Sequence, residues 1–438
     1  MTTVQDLRCN LDATAAGAGI YRLIEELYPI PRSITGDGVR RTLARIREEI
    51  PVTFHEVPTG TPVLDWTVPR EWNIRDAYVA DARGERVIDW RRSNLHVVGY
   101  STPVRTRMTL ESLRPHLHTL PDRPGWIPFR TSYYREDWGF CLAHDDYLRL
   151  REGDYDVVID ATLAAGSLTY AELVLEGETT DEVLISTHIC HPSLANDNVS
   201  GVALVTALAR TLGAARRRYT YRFLFVPGTI GSITWLARNE ATLDRIRHGL
   251  VVVCVGDPGP FTYKRTRHGD TELDRAAVHV LRHAGSQHQI VDFSPWGYDE
   301  RQYSSPGFDL PVGSLSRTPH GRYPEYHTSA DNLDLLRPGA LGESFATYLE
   351  LIAVLEANRR YQSTNPKGEP QLGKRGLFRS VGGQGGLPSE LPLLWVLNLS
   401  DGRHTLLDIA DRAGLPFREI QTAADALAEV GLLKEYVA

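Results

Sequence analysis

A chain of 438 residues exceeds the usual size of one compact domain, and with 42% hydrophobic residues it has material for sizeable cores. The formal net charge of -7 gives no electrostatic basis for nucleic acid as the main partner. There is no apolar run of about 18 residues, and the N-terminus lacks the basic-then-apolar pattern of a signal peptide, so a cytoplasmic protein without membrane association is expected. Four cysteines (Cys9, Cys141, Cys190, Cys254) show no CxxC spacing, so any metal must be held mainly by His, Asp and Glu.

Residues 17–49 carry two amphipathic helical patterns separated by a Pro-Ile-Pro and a Gly-rich turn. From about 52 to 160 short runs such as "VTFHEV", "AYVAD", "ERVIDW" and "NLHVVGY" alternate with turn residues. Five of the eight tryptophans fall here, which predicts a mainly β unit. From 172 onward, "AELVLEG", "EVLISTH", "YRFLFVPG", "GLVVVCVGD" and "LPVGSL" read as strands. Helices are expected over 199–213, 232–247, 271–285 and 338–358. This alternation predicts an α/β sandwich whose partly parallel sheet is covered on both faces, with sites at the carboxyl ends of its strands. After 358 a Gly- and Pro-rich stretch reads as a linker, and the tail has a helix-turn-helix rhythm.

One such strand end is "LISTHICHPSLANDNVSG", residues 184–201. A hydrolytic metal site needs ligands on rigid strand ends, a carboxylate and an open position for water. His188 ends the strand, Asp197 and Asn198 precede a helix, and the distant "YPEYHTSADNLDLL" adds His327 in a polar loop, making a His/Asp/His set. Taken singly, a histidine after a strand is more often a hydrogen-bonded structural residue, and "NDN" before a helix is more often an N-cap. His191 is open to three readings: a third nitrogen ligand, a donor behind the ligands, or a proton shuttle.

At these residues the sequence resembles the zinc aminopeptidase and glutaminyl cyclase superfamily, through "HIC", "DNVSG" and "YHTSAD". More closely, "STHICHPSLANDNVSG", "YRFLFVPGTIGSITWL", "YDERQY" and "YPEYHTSADNLD" resemble the bacterial aminopeptidase-like family of polysaccharide and natural-product gene clusters. The resemblance implies a three-layer α/β/α aminopeptidase-like (phosphorylase/hydrolase-like) sandwich with an inserted mainly-β domain and a C-terminal winged helix. The corresponding boundaries are 14–58 with 161–362 for the catalytic domain, 59–160 for the insert, 363–388 for a linker and 389–438 for the winged helix.

The resemblance also implies that His188, Asp197 and His327 hold zinc. The aminopeptidase pattern has a Glu-Glu pair where this chain reads "FVPGTIGS", and Cys190 replaces the Asp that orients the first histidine. One zinc ion per chain is therefore expected instead of two. With that pair absent, Glu300 is the first candidate base. Asp299, Glu325 and His191 stand beside it, and Arg301, Arg317, Tyr326 and Arg130 are candidate substrate contacts.

The expected activity is zinc-dependent, aminopeptidase-like hydrolysis of an amide bond in a small amino-acyl metabolite. The alternative is a non-catalytic metal-binding or regulatory protein that retains the fold. The expected helix "FREIQTAADALAEV" carries Arg418 against Glu419, Asp425 and Glu429, which repel phosphate, so the tail is expected to contact protein instead of DNA. Homo-oligomer formation is left open.

Overall fold

A computed structural model describes residues 2–377 and 390–436. They fall into two units, one of residues 2–269 and 287–346, the other of 270–286, 347–377 and 390–436.

The first unit is organised by an eight-stranded sheet in the order Thr53–Pro58, Ser167–Leu175, Thr220–Val226, Glu182–His188, Ile246–Val252, Val312–Ser316, Phe261–Lys264, His288–Val291. The four strands in the middle run parallel and have an antiparallel neighbour on each side, and the last pair, Phe261–Lys264 with His288–Val291, is again parallel. These central strands are apolar on both faces, as a sheet covered by helices requires. Leu184, Leu224, Val251 and Val312 share a core with Ile230, Ile233, Trp235 and Leu236 of the helix Ile230–Asn239. The alternate residues Val183, Ile185, Phe223, Phe225, Leu250 and Val252 are also buried, and the helix Gly201–Gly213 packs on the same strands. Because the central strands are parallel, His188, Val226, Val252 and Ser316 all end at one rim.

Two expected elements differ. The helix expected over 232–247 spans Ile230–Asn239, continues as a 3-10 turn to Arg245 and gives way at Ile246, where an apolar β-branched run pairs with the strand ending at His188. The run "NLHVVGY" forms a 3-10 turn at Asn94–His96, followed by isolated bridges at Val97 and Gly99 instead of a strand.

The β unit is a four-stranded antiparallel sheet in the order Arg86–Asp89, Glu71–Ala80, Asp154–Ala164, Val104–Thr109. Its inward residues, including Trp72, Val79, Val157 and Ile159, belong to the same apolar cluster as Leu184 and Trp235. The inserted sheet thus shares one core with the main sheet. At the junction Glu71 accepts hydrogen bonds from Arg40 Nη1 at 2.8 Å, Asn73 Nδ2 at 2.9 Å and the Ser167 amide at 2.9 Å.

The second unit has the winged-helix pattern. The helices Glu390–Leu399, Leu406–Ala413 and Phe417–Glu429 accompany a three-stranded sheet in the order Asp401–Thr405, Arg360–Ser363, Leu433–Glu435. The central strand of that sheet precedes the expected start at 389. The helix Glu272–His283 also lies in this unit: His279 Nδ1 donates to Asp411 at 2.7 Å while its Nε2 accepts the Phe417 amide at 3.0 Å. Of the linker expected over 363–388, residues 378–388 lie outside the described residues.

Candidate metal centre

The strand Glu182–His188 is buried along its whole length, and its last residue delivers an imidazole to the rim. The chain then turns through Pro192 and enters a π-type turn, Ala195–Ser200, before the helix. Asp197 and Asn198 there have non-helical backbone angles, and the helix N-terminus receives no side-chain cap. The N-cap reading of "NDN" is therefore set aside: the three side chains turn to other partners.

Asn198 Nδ2 donates to Thr187 Oγ1 at 2.8 Å and to the His188 carbonyl at 3.2 Å, and its Oδ1 accepts the Cys254 amide at 3.3 Å. Asn196 Oδ1 accepts the Gly256 amide at 3.0 Å while its Nδ2 donates to Asp257 Oδ2, also at 3.0 Å. These bonds tie the turn to two strand ends. Gly201 permits the approach, since a Cβ there would lie 2.5 Å from the Val252 carbonyl oxygen.

Asp197 itself is left to face the histidines. His188 Nε2 lies 3.0 Å from Asp197 Oδ1 and 3.0 Å from His191 Nδ1, His191 Nδ1 lies 3.6 Å from Asp197 Oδ2, and His327 Nε2 lies 3.0 Å from Asp197 Oδ2. Tetrahedral ligands about 2.0 Å from a zinc ion stand roughly 3.3 Å apart, so these spacings fit a shared cation. Among the described residues, His188, His191 and Asp197 form the one compact potential metal-binding group, with donor atoms within 4.8 Å of one another. His327 joins it through the second carboxylate oxygen. The expected trio of His188, Asp197 and His327 is brought together, and His191 is placed among the ligand atoms.

The electrostatics suit a cation. Burial alone would raise the Asp197 carboxyl, but His191, His188 and His327 hold it well below its usual range. Burial pushes His191 down to about 3, which leaves it neutral with a lone pair to offer. Burial opposes charge on His188 too, yet Asp197 and Asp299 together raise it.

A layer of residues with weaker sequence signals holds this centre. Buried Asp331 accepts the Asn196 amide at 2.6 Å, the Asp197 amide at 3.1 Å and the Tyr323 hydroxyl at 3.1 Å, and burial raises it to about 7. The inserted unit contributes Phe129, whose ring meets His191 and His327 edge-on at 5.3 and 5.1 Å and whose amide donates to the His327 carbonyl at 2.8 Å. Tyr298 stacks on His188 at 5.6 Å. Asp331 closes "YHTSAD" and Tyr298 opens "YDERQY"; Phe129 carries no local signal.

The remaining candidates separate. Tyr326 stacks on His327 at 3.9 Å, so it borders the centre. Glu300 is buried in an ion pair with Lys264 Nζ at 2.7 Å, and the same oxygen accepts the Tyr298 amide. That pairing commits one carboxylate oxygen, while Oε2 has no hydrogen-bond partner. Asp299, raised by burial to about 6, accepts Ser232 Oγ at 3.0 Å on one oxygen and has no hydrogen-bond partner on the other. Glu325 is half-buried two residues before His327. Arg301, half-buried, counters the rise of Asp299 through its charge.

One expected substrate contact, Arg317, is corrected. Arg317 is buried, with Nε on Ser344 Oγ at 3.1 Å, Nη1 on the Gly259 carbonyl at 2.6 Å and Nη2 on Glu343, so its donors are committed to the protein. Arg130 is exposed, and its charge acts on His118 and Cys141.

Residues 21–358 match the family described as Domain of unknown function (DUF4910). The chain belongs to the DUF4910 family. Residues 359–435 match the winged helix-turn-helix family, so this DUF4910 protein ends in a winged helix. A Clostridium acetobutylicum protein named "Putative polysaccharide biosynthesis protein with aminopeptidase-like domain" is 54% identical over 424 residues, covering 97% of this chain and 98% of that protein. A crystal structure from the same organism, described as a "putative peptidase", superposes with a TM-score of 0.95 at 52% identity over 99% of this chain and 100% of that one. The zinc aminopeptidase of Bacillus subtilis gives a TM-score of 0.57 at 13% identity, covering 78% of this chain and 95% of that one. The DUF4910 domain thus has the aminopeptidase-like α/β fold. No helix among the described residues is long and apolar enough to cross a membrane.

Proposed function

We propose that this protein is a cytoplasmic zinc-dependent hydrolase that cleaves an amide bond in a small amino-acyl metabolite during polysaccharide or natural-product biosynthesis. The observation that carries this reading is the convergence of three imidazoles on one carboxylate, each with a nitrogen 3.0 to 3.6 Å from an Asp197 oxygen, at a rim of parallel strands. His188, His191 and Asp197 would hold one zinc ion, with His327 at the second carboxylate oxygen. A bound zinc ion supplies polarisation of a carbonyl oxygen and acidification of water. Asp331 and Asn198 fix the turn that presents Asp197, and Phe129 and Tyr326 orient the His327 ring. The name of the Clostridium relative supports the biosynthetic setting, and the fold of the Bacillus zinc aminopeptidase supports the chemistry.

Three carboxylates are in contention for the proton acceptor: Asp299, Glu300 and Glu325. Amine release from a library of amino-acyl amides, measured with and without chelator and on the Glu300→Gln and Glu325→Gln variants, tests the reading. About one zinc per chain and chelator-sensitive release are expected. Protein that purifies with no zinc and takes none up would rule the hydrolase out.

A second reading, a non-catalytic binding protein with this fold, is favoured by the Lys264 pairing of Glu300 and by the absence of any carboxylate in "FVPGTIGS". It predicts no amine release even when zinc is supplied. In either reading we infer that the winged helix contacts protein, because its helix Phe417–Glu429 sets Arg418 against three acids.

A further inference from the structure

We propose that Asp299 is the positioning carboxylate of His188, fixing the ring and tautomer that this histidine presents to the cation. The inference rests on the metal-centre reading above. His188 directs Nε2 toward Asp197 and His191, both at 3.0 Å, so Nδ1 lies on the side of the ring away from the ligand cluster. A metal-bound histidine almost always donates that second N–H to a carboxylate, a backbone carbonyl or water. The near-sequence residue that could serve, Cys190, carries no carboxylate and directs its Sγ to the Gly228 carbonyl at 3.7 Å.

Asp299 arrives at the same place from a distant segment. It is 1% exposed; Ser232 Oγ fixes Oδ1 at 3.0 Å, and Oδ2 has no hydrogen-bond partner. Gly228 locates that oxygen. A Cβ built there would lie 3.1 Å from His188 Cβ, 3.5 Å from His188 Cγ and 3.5 Å from Asp299 Oδ2. The missing side chain leaves imidazole and carboxylate beside the same glycine, at the strand end where "FVPGTIGS" supplies no acid. An unpaired buried carboxylate oxygen is costly, and a ring N–H donor is the partner that satisfies it. With Nδ1–H donating to Asp299, the lone pair of Nε2 is left for the cation. Glu300, the neighbouring acid, spends Oε1 on Lys264 and the Tyr298 amide.

The test is the zinc affinity of the full-length protein, read by competition with a chromophoric chelator, with the cobalt(II) d–d absorption spectrum as a report on ligand geometry. Asp299→Ala is expected to weaken zinc binding on the order of 10- to 100-fold. Asp299→Asn, which keeps an acceptor but loses the charge, should fall between it and the wild type, and both should alter the cobalt spectrum. Should Asp299→Ala fail to fold, the isosteric Asn variant carries the comparison. His188→Ala is the parallel control. If it loses zinc while both Asp299 variants bind zinc as tightly as the wild type with an unchanged cobalt spectrum, this inference is overturned and the metal centre stands. If His188→Ala also keeps wild-type affinity, the metal-centre reading falls, and the inference with it.

Discussion

Asp331, 134 residues further along the chain, accepts the amide hydrogen of Asp197 at 3.1 Å and that of Asn196 at 2.6 Å. One carboxylate thus sets the backbone from which another faces the histidines. Replacing it with Ala leaves two buried N–H groups without an acceptor, at about 1–3 kcal/mol each. Asp331→Ala is therefore expected to lose on the order of 3 kcal/mol in urea unfolding and to bind zinc more weakly. Asp331→Asn retains one acceptor oxygen and should lose less. Unchanged stability in both would mean the turn holds its shape without Asp331.

Phe129 connects the inserted sheet to the metal centre. Its ring edges meet His191 and His327, and its amide fixes the His327 loop. An aromatic contact of this kind contributes about 0.5–1.5 kcal/mol beyond its buried area. In Phe129→Leu the backbone bond survives and the edge contacts are lost. Zinc affinity should fall several-fold while the thermal midpoint moves by only a few degrees. Wild-type zinc affinity in this variant would show that the insert does not position the histidines.

The parts legible in the sequence are those set by local pattern. The runs ending at His188, Val226 and Val252 are apolar on both faces, which signals a buried parallel sheet, and that places His188 at a functional rim. Asp197 stands out through its neighbours in "NDN", and His327 through its polar loop. What local pattern cannot show is which distant groups satisfy a side chain. Glu300 reads as an open acid until Lys264, 36 residues away, is seen to neutralise it. Phe129 meets His327 only because the insert's chain bridges the loop after it, with Pro128 opposite Thr328.

Arg317 is likewise satisfied by distant groups. The carbonyl of Gly259, 58 residues away, and the side chains of Ser344 and Glu343 take its donors, while the guanidinium lies over Phe261 at 4.5 Å. Arg317→Met should lower stability by about 2–4 kcal/mol, since it leaves a buried carbonyl unpaired and removes a packed cation. If the protein turns over an amide substrate, KM should be unchanged at temperatures where the variant is folded. A large rise in KM with unaltered stability would restore the role of substrate anchor.

Glu71 ties the insert to the main sheet, and its chemistry predicts an acid dependence. The paired guanidinium of Arg40 holds its carboxyl down, at about 2, against the opposing effect of burial and with help from the Ser167 amide and Asn73. A carboxyl lower in the folded than in the unfolded chain contributes stability that is complete above the unfolded value near 4.5 and is lost as pH falls through about 2. Since the Arg40 side chain is 30% exposed, solvent screening reduces the contribution to about 2 kcal/mol at neutral pH. Glu71→Gln should therefore be less stable than the wild type by about that amount at pH 7, with the gap shrinking below pH 4.5 and nearly closed at pH 2. Denaturant midpoints of the two proteins across this range test it. A gap that stays constant with pH would mean that Glu71 acts through shape and hydrogen bonding, and that its charge contributes nothing.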